Sequence, residues 1–348
     1  MLDDANVLKQ RDPEGALGVA AGEWEQVNFD ARIVNPDHDG REIAQVVVTG
    51  MGGSVLAALV VNEWLKEELT LPLEVVRNYN LPAYVGKNTL VIVTSCSGNT
   101  EETLSALDVA LDRGAQVAIA TSGGKLLERA KEGNTTHVVL PDRKLVEPRM
   151  TVVAQMRALT ALLAHFGVSS GDYYDEIAKT AEWLHEQTQN WEASVPTEKN
   201  PAKQLALESV GKTPVFYGGR LTGPLAYKWK ISWNENAKNI AFWNVYPEMN
   251  HNEFIGWSSH PVEKPFVVFD IIGSFEHPRI LKRFEISDKL LSGKRPKAKR
   301  IELVGDTPLK QMLYACIFAD FASIYVAILN GVDPTPVDLV EKLKKELA

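Results

Sequence analysis

Two apolar strands, each running directly into a turn of glycine and hydroxyl residues, constrain this chain most. Val46-Val47-Val48-Thr49-Gly50 leads into Met51-Gly52-Gly53-Ser54, and Val91-Ile92-Val93-Thr94 leads into Ser95-Cys96-Ser97-Gly98-Asn99-Thr100. Short β-branched runs of this kind, set between helical stretches, predict a parallel sheet covered on both faces. Glycine lets the backbone of such a turn approach a ligand, the following helix offers free N–H groups, and serine and threonine add neutral donors. The two turns therefore read as a clamp for an anion. Neither closes with Gly-Lys-Ser/Thr, and the Gly-x-Gly-x-x-Gly spacing is absent, so a small phosphate monoester suits them better than a nucleotide. A tight turn with only a structural role is the competing reading, and finding two after neighbouring strands counts against it.

The pattern repeats with an interruption. Residues 1–40 read as a lead-in that ends in the loop Asn35-Pro36-Asp37-His38-Asp39-Gly40. A first α/β unit spans 41–168, with strands near Val46, Leu73–Arg77, Leu90, Val117 and Val138, and helices after Ser54, from Glu101 and from Thr151. A polar helical linker, 169–200, is helical over Asp172–Glu192 and ends in the breaker-rich Val195–Pro201. A second unit, 201–331, has strands predicted at Pro214–Tyr217, Ile240–Trp243, Phe266–Ile271 and Lys299–Val304. It opens with Phe216-Tyr217-Gly218-Gly219-Arg220-Leu221-Thr222-Gly223, an echo of the first strand and glycine turn without the serine, and so reads as a weak duplication. The segment 332–348 predicts a final helix with Leu339, Val340, Leu343 and Leu347 on one face, Lys344 at its margin, and Lys342 and Lys345 outward.

Ionisable residues concentrate between Trp233 and His260. Glu235 falls near the end of a helix starting around Thr222, and His251 follows the strand at Ala241 and a proline loop, so both can reach the carboxyl edge where open α/β sheets bind ligands. A carboxylate with an imidazole makes an acid/base pair that works near neutral pH. The plainer alternatives are a Glu235–Lys238 pair on a solvated helix face and a loop or helix-capping His251. Asn250-His251-Asn252-Glu253 lacks the His-x-x-x-His spacing of a metal site, so no metal and no cofactor are expected. Arg149, just before a helix, reads either as a functional cation or as a surface arginine paired with Glu147.

Composition narrows the partners. The 348 residues include 45 acidic and 37 basic side chains, a formal charge of −8, which argues against nucleic acid and against anionic lipid. Two distant cysteines, Cys96 and Cys316, indicate neither a disulfide scaffold nor zinc, and Met1-Leu2-Asp3-Asp4 lacks the pattern of a secretory signal, so a cytoplasmic protein is expected. The apolar stretch Met312–Leu329 raises a membrane question, but Asp320 and Ser323 within it favour a buried helix.

Taken in order, Gly50-Met51-Gly52-Gly53-Ser54, Ser95-x-Ser97-Gly98-Asn99-Thr100-x-Glu102-Thr103, Glu235-Asn236, Asn250-His251-Asn252-Glu253 and Gly331-Val332-Asp333-Pro334-Thr335-Pro336-Val337 resemble the bifunctional phosphoglucose/phosphomannose isomerases of the sugar isomerase (SIS) superfamily. The resemblance runs from about residue 40 to the C-terminus. It implies two SIS-type subdomains, each a mostly parallel, doubly wound, flavodoxin-like α/β sheet flanked by helices. It further implies metal-free interconversion of fructose 6-phosphate with glucose 6-phosphate and mannose 6-phosphate through a cis-enediol. In that family Gly53, Ser54, Ser95, Ser97 and Thr100 would hold the phosphate, Glu235 would move the proton between C1 and C2, and Arg149 would stabilise the enediolate. His251 would open the sugar ring from the neighbouring subunit of a homodimer. A lysine of the C-terminal helix would assist; Lys344, nearest the expected buried face, is assigned, with Lys342 and Lys310 as the other candidates. Cys96 departs from the phosphate motif and is expected to point away. An aminosugar-phosphate isomerase would want an additional glutaminase domain, for which there is no length. A non-catalytic SIS regulator would lack Glu235 and His251, and a DNA-binding segment is not seen before the first sheet.

Overall fold

The buried apolar runs become the central strands of two sheets. The computed structural model describes residues 1–142, 146–258 and 265–347 and divides into two compact units, Gly22–His185 and a second made of Met1–Ala21 with Glu186–Ala348. Of the sequence features singled out above, His260 and the Lys345 side chain lie outside the described residues.

In Gly22–His185, β1 (Ile33–Val34), β2 (Gln45–Thr49), β3 (Leu73–Val76), β4 (Thr89–Ser95), β5 (Gln116–Thr121) and β6 (Thr136–Val139) form one sheet in the order β1-β6-β5-β4-β2-β3. β2 to β6 are parallel, and β1 adds an antiparallel edge that sequence patterning did not reveal because it is only two residues long. All seven residues of β4 are buried, as a strand covered on both faces requires. Renumbered from β2, the parallel strands run 2-1-3-4-5, the flavodoxin-like order, which places the topological switch point between β2 and β4.

The other unit holds β7 (Thr213–Gly218), β8 (Phe242–Val245), β9 (Phe266–Ile272) and β10 (Lys299–Glu302), all parallel, in the order β10-β9-β7-β8. This is 2-1-3-4 again, with the switch point between β7 and β9. The 23-residue helix Pro308–Asn330 is long and apolar enough to cross a membrane by length and composition, yet it is almost wholly buried and packs against helices Pro201–Ser209 and Gly223–Glu235. It is the core helix of its unit.

Strand ends shift by a residue or two from the sequence patterning, and the larger differences have local reasons. β8 starts two residues later than Ile240 because Asn234 Nδ2 and Asn239 Nδ2 tie the intervening turn, through the Asn239 and Lys212 carbonyls at 2.9 and 3.0 Å. β10 ends at Glu302, after which Leu303 N–H still bonds the Ile272 carbonyl. The helical linker holds two helices, Asp172–Ala178 and Ala181–Gln189, divided where the Thr180 hydroxyl bonds back to the Ile177 carbonyl.

Candidate active site

In Gly22–His185 the two hydroxyl turns leave the carboxyl ends of β2 and β4, the strands that flank the switch point. Ser95 Oγ lies 3.0 Å from Thr100 Oγ1 and 3.4 Å from Ser97 Oγ, and Ser97 Oγ lies 3.5 Å from Thr100 Oγ1. Three hydroxyls thus converge on one spot. Thr100 is the N-cap residue of helix Glu101–Asp112, but its hydroxyl turns to the serines and does not cap that helix. The partial positive charge at the helix start therefore lies beside the hydroxyl cluster. The two turns are stitched together: Cys96 N–H donates to Ser54 Oγ at 3.0 Å, and the Thr94 hydroxyl donates to the Ser54 carbonyl. With Ser54 Oγ already accepting, its own proton is left to donate elsewhere.

Glycine is required here by contact. A Cβ on Gly53 would stand 2.7 Å from the Arg149 nitrogen and 2.8 Å from the Pro148 carbonyl carbon. Gly98 combines φ +66 with a Cβ position only 1.7 Å from the Gly123 oxygen. The close approach at Gly53 seats the turn Pro148–Met150 against the first cradle turn. The Arg149 side chain is 1% exposed, with Nη1 3.4 Å from Glu147 Oε2. The pairing with Glu147 exists, with the Arg149 side chain buried and the Glu147 side chain half-buried. Cys96 is buried with Sγ 3.7 Å from Thr151 Oγ1, turned toward the core.

In the other unit Glu235 ends helix Gly223–Glu235 and is half-buried. Lys238, held at φ +50, donates its ammonium to the backbone carbonyls of Glu235 and Pro334 at 2.7 and 2.8 Å. The next residue after Glu235, Asn236, is buried and reaches Ser323 Oγ at 2.9 Å. One helical face inward, Lys228 and Asp320 form a fully buried pair at 2.6 Å that Ser232 joins. The helix that ends in Glu235 is thereby pinned to the core helix.

His251 is exposed at the end of the turn Glu248–His251, and the following short helix is capped by Asn252, not by His251. A clasp that sequence reading missed holds this segment: Tyr217 Oη donates to Glu253 Oε1, and Asn244 Nδ2 donates to Glu253 Oε2 at 2.6 Å. Trp257 Nε1 in turn donates to Tyr217 Oη at 3.0 Å, and burial next to the Glu253 charge pushes the Tyr217 phenol far above its usual range. Asn250 bonds Ser287 and accepts from Arg283. Beneath the segment, Asp270 of β9 is buried with Oδ1 lacking a hydrogen bond, and burial pushes its carboxyl up to about 7 against the pull of Arg295. Among the described residues no three His, Cys, Asp or Glu side chains gather as a metal-binding group.

Of the three candidate lysines, Lys344 pairs with Glu341 at 2.9 Å, Lys310 pairs with Asp306 at 2.8 Å, and Lys342 is exposed. Among the described residues nothing buries the apolar face expected beside Lys344. Leu339, Val340, Leu343 and Leu347 are all exposed.

The family models match both units, a SIS domain over residues 41–165 and a bacterial phospho-glucose isomerase C-terminal SIS domain over residues 198–347. A bifunctional phosphoglucose/phosphomannose isomerase of Caldicellulosiruptor bescii is 35% identical over 309 residues, 88% of this chain and 90% of that protein. The chain belongs to this family. A second member, from Aquifex aeolicus, is 34% identical over 303 residues, 87% of this chain and 90% of its own. Among solved structures, a glucose-6-phosphate isomerase like protein from Thermus thermophilus superposes with TM-score 0.66 over 99% of this chain and 98% of that one at 19% identity, a likeness of fold. The motif-based family assignment and the α/β class are borne out.

Proposed function

We propose that the chain interconverts fructose 6-phosphate with glucose 6-phosphate and mannose 6-phosphate by moving a proton between C1 and C2. The observation that carries this reading is the convergence of the Ser95, Ser97 and Thr100 hydroxyls at the switch point of a family member's first sheet. Those hydroxyls, with Ser54 and the Gly53 backbone, bind the substrate phosphate, and this remote anchor holds C1 and C2 for the base. Glu235 takes the proton from one carbon and returns it to the other. Protonation on either face at C2 then gives the glucose or the mannose epimer. The hydroxy-carbonyl C–H is a very weak acid, so the enediolate oxygen needs a fixed cation, and Arg149 is assigned to it. His251 protonates the ring oxygen during opening, with Lys344 assisting. The reaction needs no metal.

His251 comes from the partner in a homodimer. Support lies in its exposure and in the apolar surface around the same unit: Ile240, Phe242 and Trp243 at the β8 edge, Ile255 just beyond His251, and the four residues of the final helix are all exposed. An edge strand with such side chains calls for a cover. The cytoplasm is the compartment proposed, consistent with two buried free cysteines.

The test is a fructose 6-phosphate assay that follows both aldoses, on chelator-treated wild type and Glu235→Gln. Wild type should be indifferent to the chelator, while the variant loses roughly 10²–10⁴-fold in kcat with KM little changed. Full turnover in the variant rejects the base, and loss of activity with chelator rejects the metal-free course.

A further inference from the structure

We infer that the glycine turn after β7 is a second anion cradle, shut by the chain's own Glu276, whose carboxylate takes the place of a phosphate or carboxylate ligand. The two units share the strand order 2-1-3-4, so the turns after β7 and β9 correspond to those after β2 and β4. In the first unit these turns present converging hydroxyls. In the second, the turn after β9 delivers Glu276 to the turn after β7. Arg220 N–H donates to Glu276 Oε2 at 3.1 Å, Thr222 N–H and Oγ1 reach Oε1 at 2.9 and 3.1 Å, and Leu221 N–H donates as well. Consecutive amides wrapped on an anion at the start of a 13-residue helix form the concavity that phosphate groups occupy elsewhere.

The site is filled, and tightly. Glu276 is 4% exposed, and a Cβ on Gly219 would lie 2.4–2.6 Å from its carboxylate atoms, so the turn is shaped to admit an anion at that place. Burial pushes the Glu276 carboxyl up and the amide donors oppose it. A buried carboxylate with this many donors satisfies the helix start without an external ligand. The consequence is stoichiometric. A duplicated fold with two open cradles would bind sugar phosphate in a second, unproductive place, and the internal carboxylate removes that competitor.

This inference goes beyond the proposed reaction, and its test does not depend on turnover. The full chain carrying Ser95→Ala and Thr100→Val, which weakens the first cradle, is compared with the same chain bearing Glu276→Ala or Glu276→Gln in addition. Thermal unfolding is followed against acetate and inorganic phosphate, with chloride at matched ionic strength, and phosphate uptake is measured by equilibrium dialysis. The expected result is that Glu276→Ala gains about one phosphate per chain and a midpoint that rises with acetate or phosphate but not chloride. The parent and Glu276→Gln chains, with the cradle still occupied, gain neither. If Glu276→Ala folds only when acetate or phosphate is supplied, the inference is likewise upheld. Folding that is indifferent to both anions, or failure to fold at any concentration of either, overturns it and leaves Glu276 as a plain tie between two turns. Failure of the sugar-phosphate reading alone would leave the acetate response intact.

Discussion

At the scale of single residues, the Ser95 and Ser97 hydroxyls accept the Gly98 and Asn99 N–H groups of their own turn at 3.1 and 3.3 Å, and Thr100 alone gives up its local role. Thr100 heads a helix and would ordinarily cap it, yet its oxygen sits 3.0 Å from Ser95 Oγ. A hydrogen bond to a charged group contributes about 1.5–3 kcal/mol, so Thr100→Val should raise KM for fructose 6-phosphate by roughly 10- to 100-fold with a smaller change in kcat, as read from initial rates. An unchanged KM would move the phosphate elsewhere. Asp270 supplies a pH signature. Its folded pKa, near 7, stands above the ordinary carboxylate value, so between about pH 4 and 7 the native state holds more protons than the unfolded chain. Stability from this group is therefore present below about pH 4 and lost as pH rises to 7, with an upper size of about 4 kcal/mol. Urea unfolding of wild type and Asp270→Asn across that window should give diverging stabilities, the variant losing less with rising pH. Parallel curves would mean that Asp270 titrates normally.

At the scale of elements, helix Gly223–Glu235 is fastened along its length. Glu276 receives the amides at its start, Lys228 pairs with Asp320 in its middle, and Asn236 bonds Ser323 just past its end. Breaking a buried pair on one side leaves an uncompensated charge, whereas replacing both partners with apolar groups of similar size removes the desolvation penalty too. Lys228→Met alone should cost about 3–5 kcal/mol in denaturant unfolding, and Lys228→Met with Asp320→Leu should recover most of it. Additive losses in the double variant would show that the two charges do not act as a pair. The same buried groups account for the sequence reading of the apolar stretch as a buried helix. Asp320 and Ser323 mark the apolar helix Pro308–Asn330 as a protein core because both have partners there.

For the whole molecule, the exposed His251 and the uncovered apolar strand and helix faces lead to an assembly prediction. If the partner subunit's histidine completes each site, inactive Glu235→Gln and inactive His251→Gln chains, refolded together, form mixed dimers with one intact site, for about a quarter of wild-type activity in a statistical mixture. No recovery means that the two residues act in cis. Much of this architecture was legible beforehand, since continuous apolar runs such as Val91–Val93 between helical stretches read as interior strands of a covered parallel sheet. Edge elements were harder: β1 is two residues long, and β8 is placed by asparagine ties that leave no periodic trace. The sequence alone determined the α/β class and the family, because those depend on local pattern and on residue type. Tertiary structure alone decided that Arg149 is buried beside Gly53, that Glu253 clasps the histidine segment, that the last helix leaves its apolar face open, and that Glu276 fills the second cradle. Each of these brings together groups far apart in the chain, and a carboxylate acquires its role only from the donors that folding places around it.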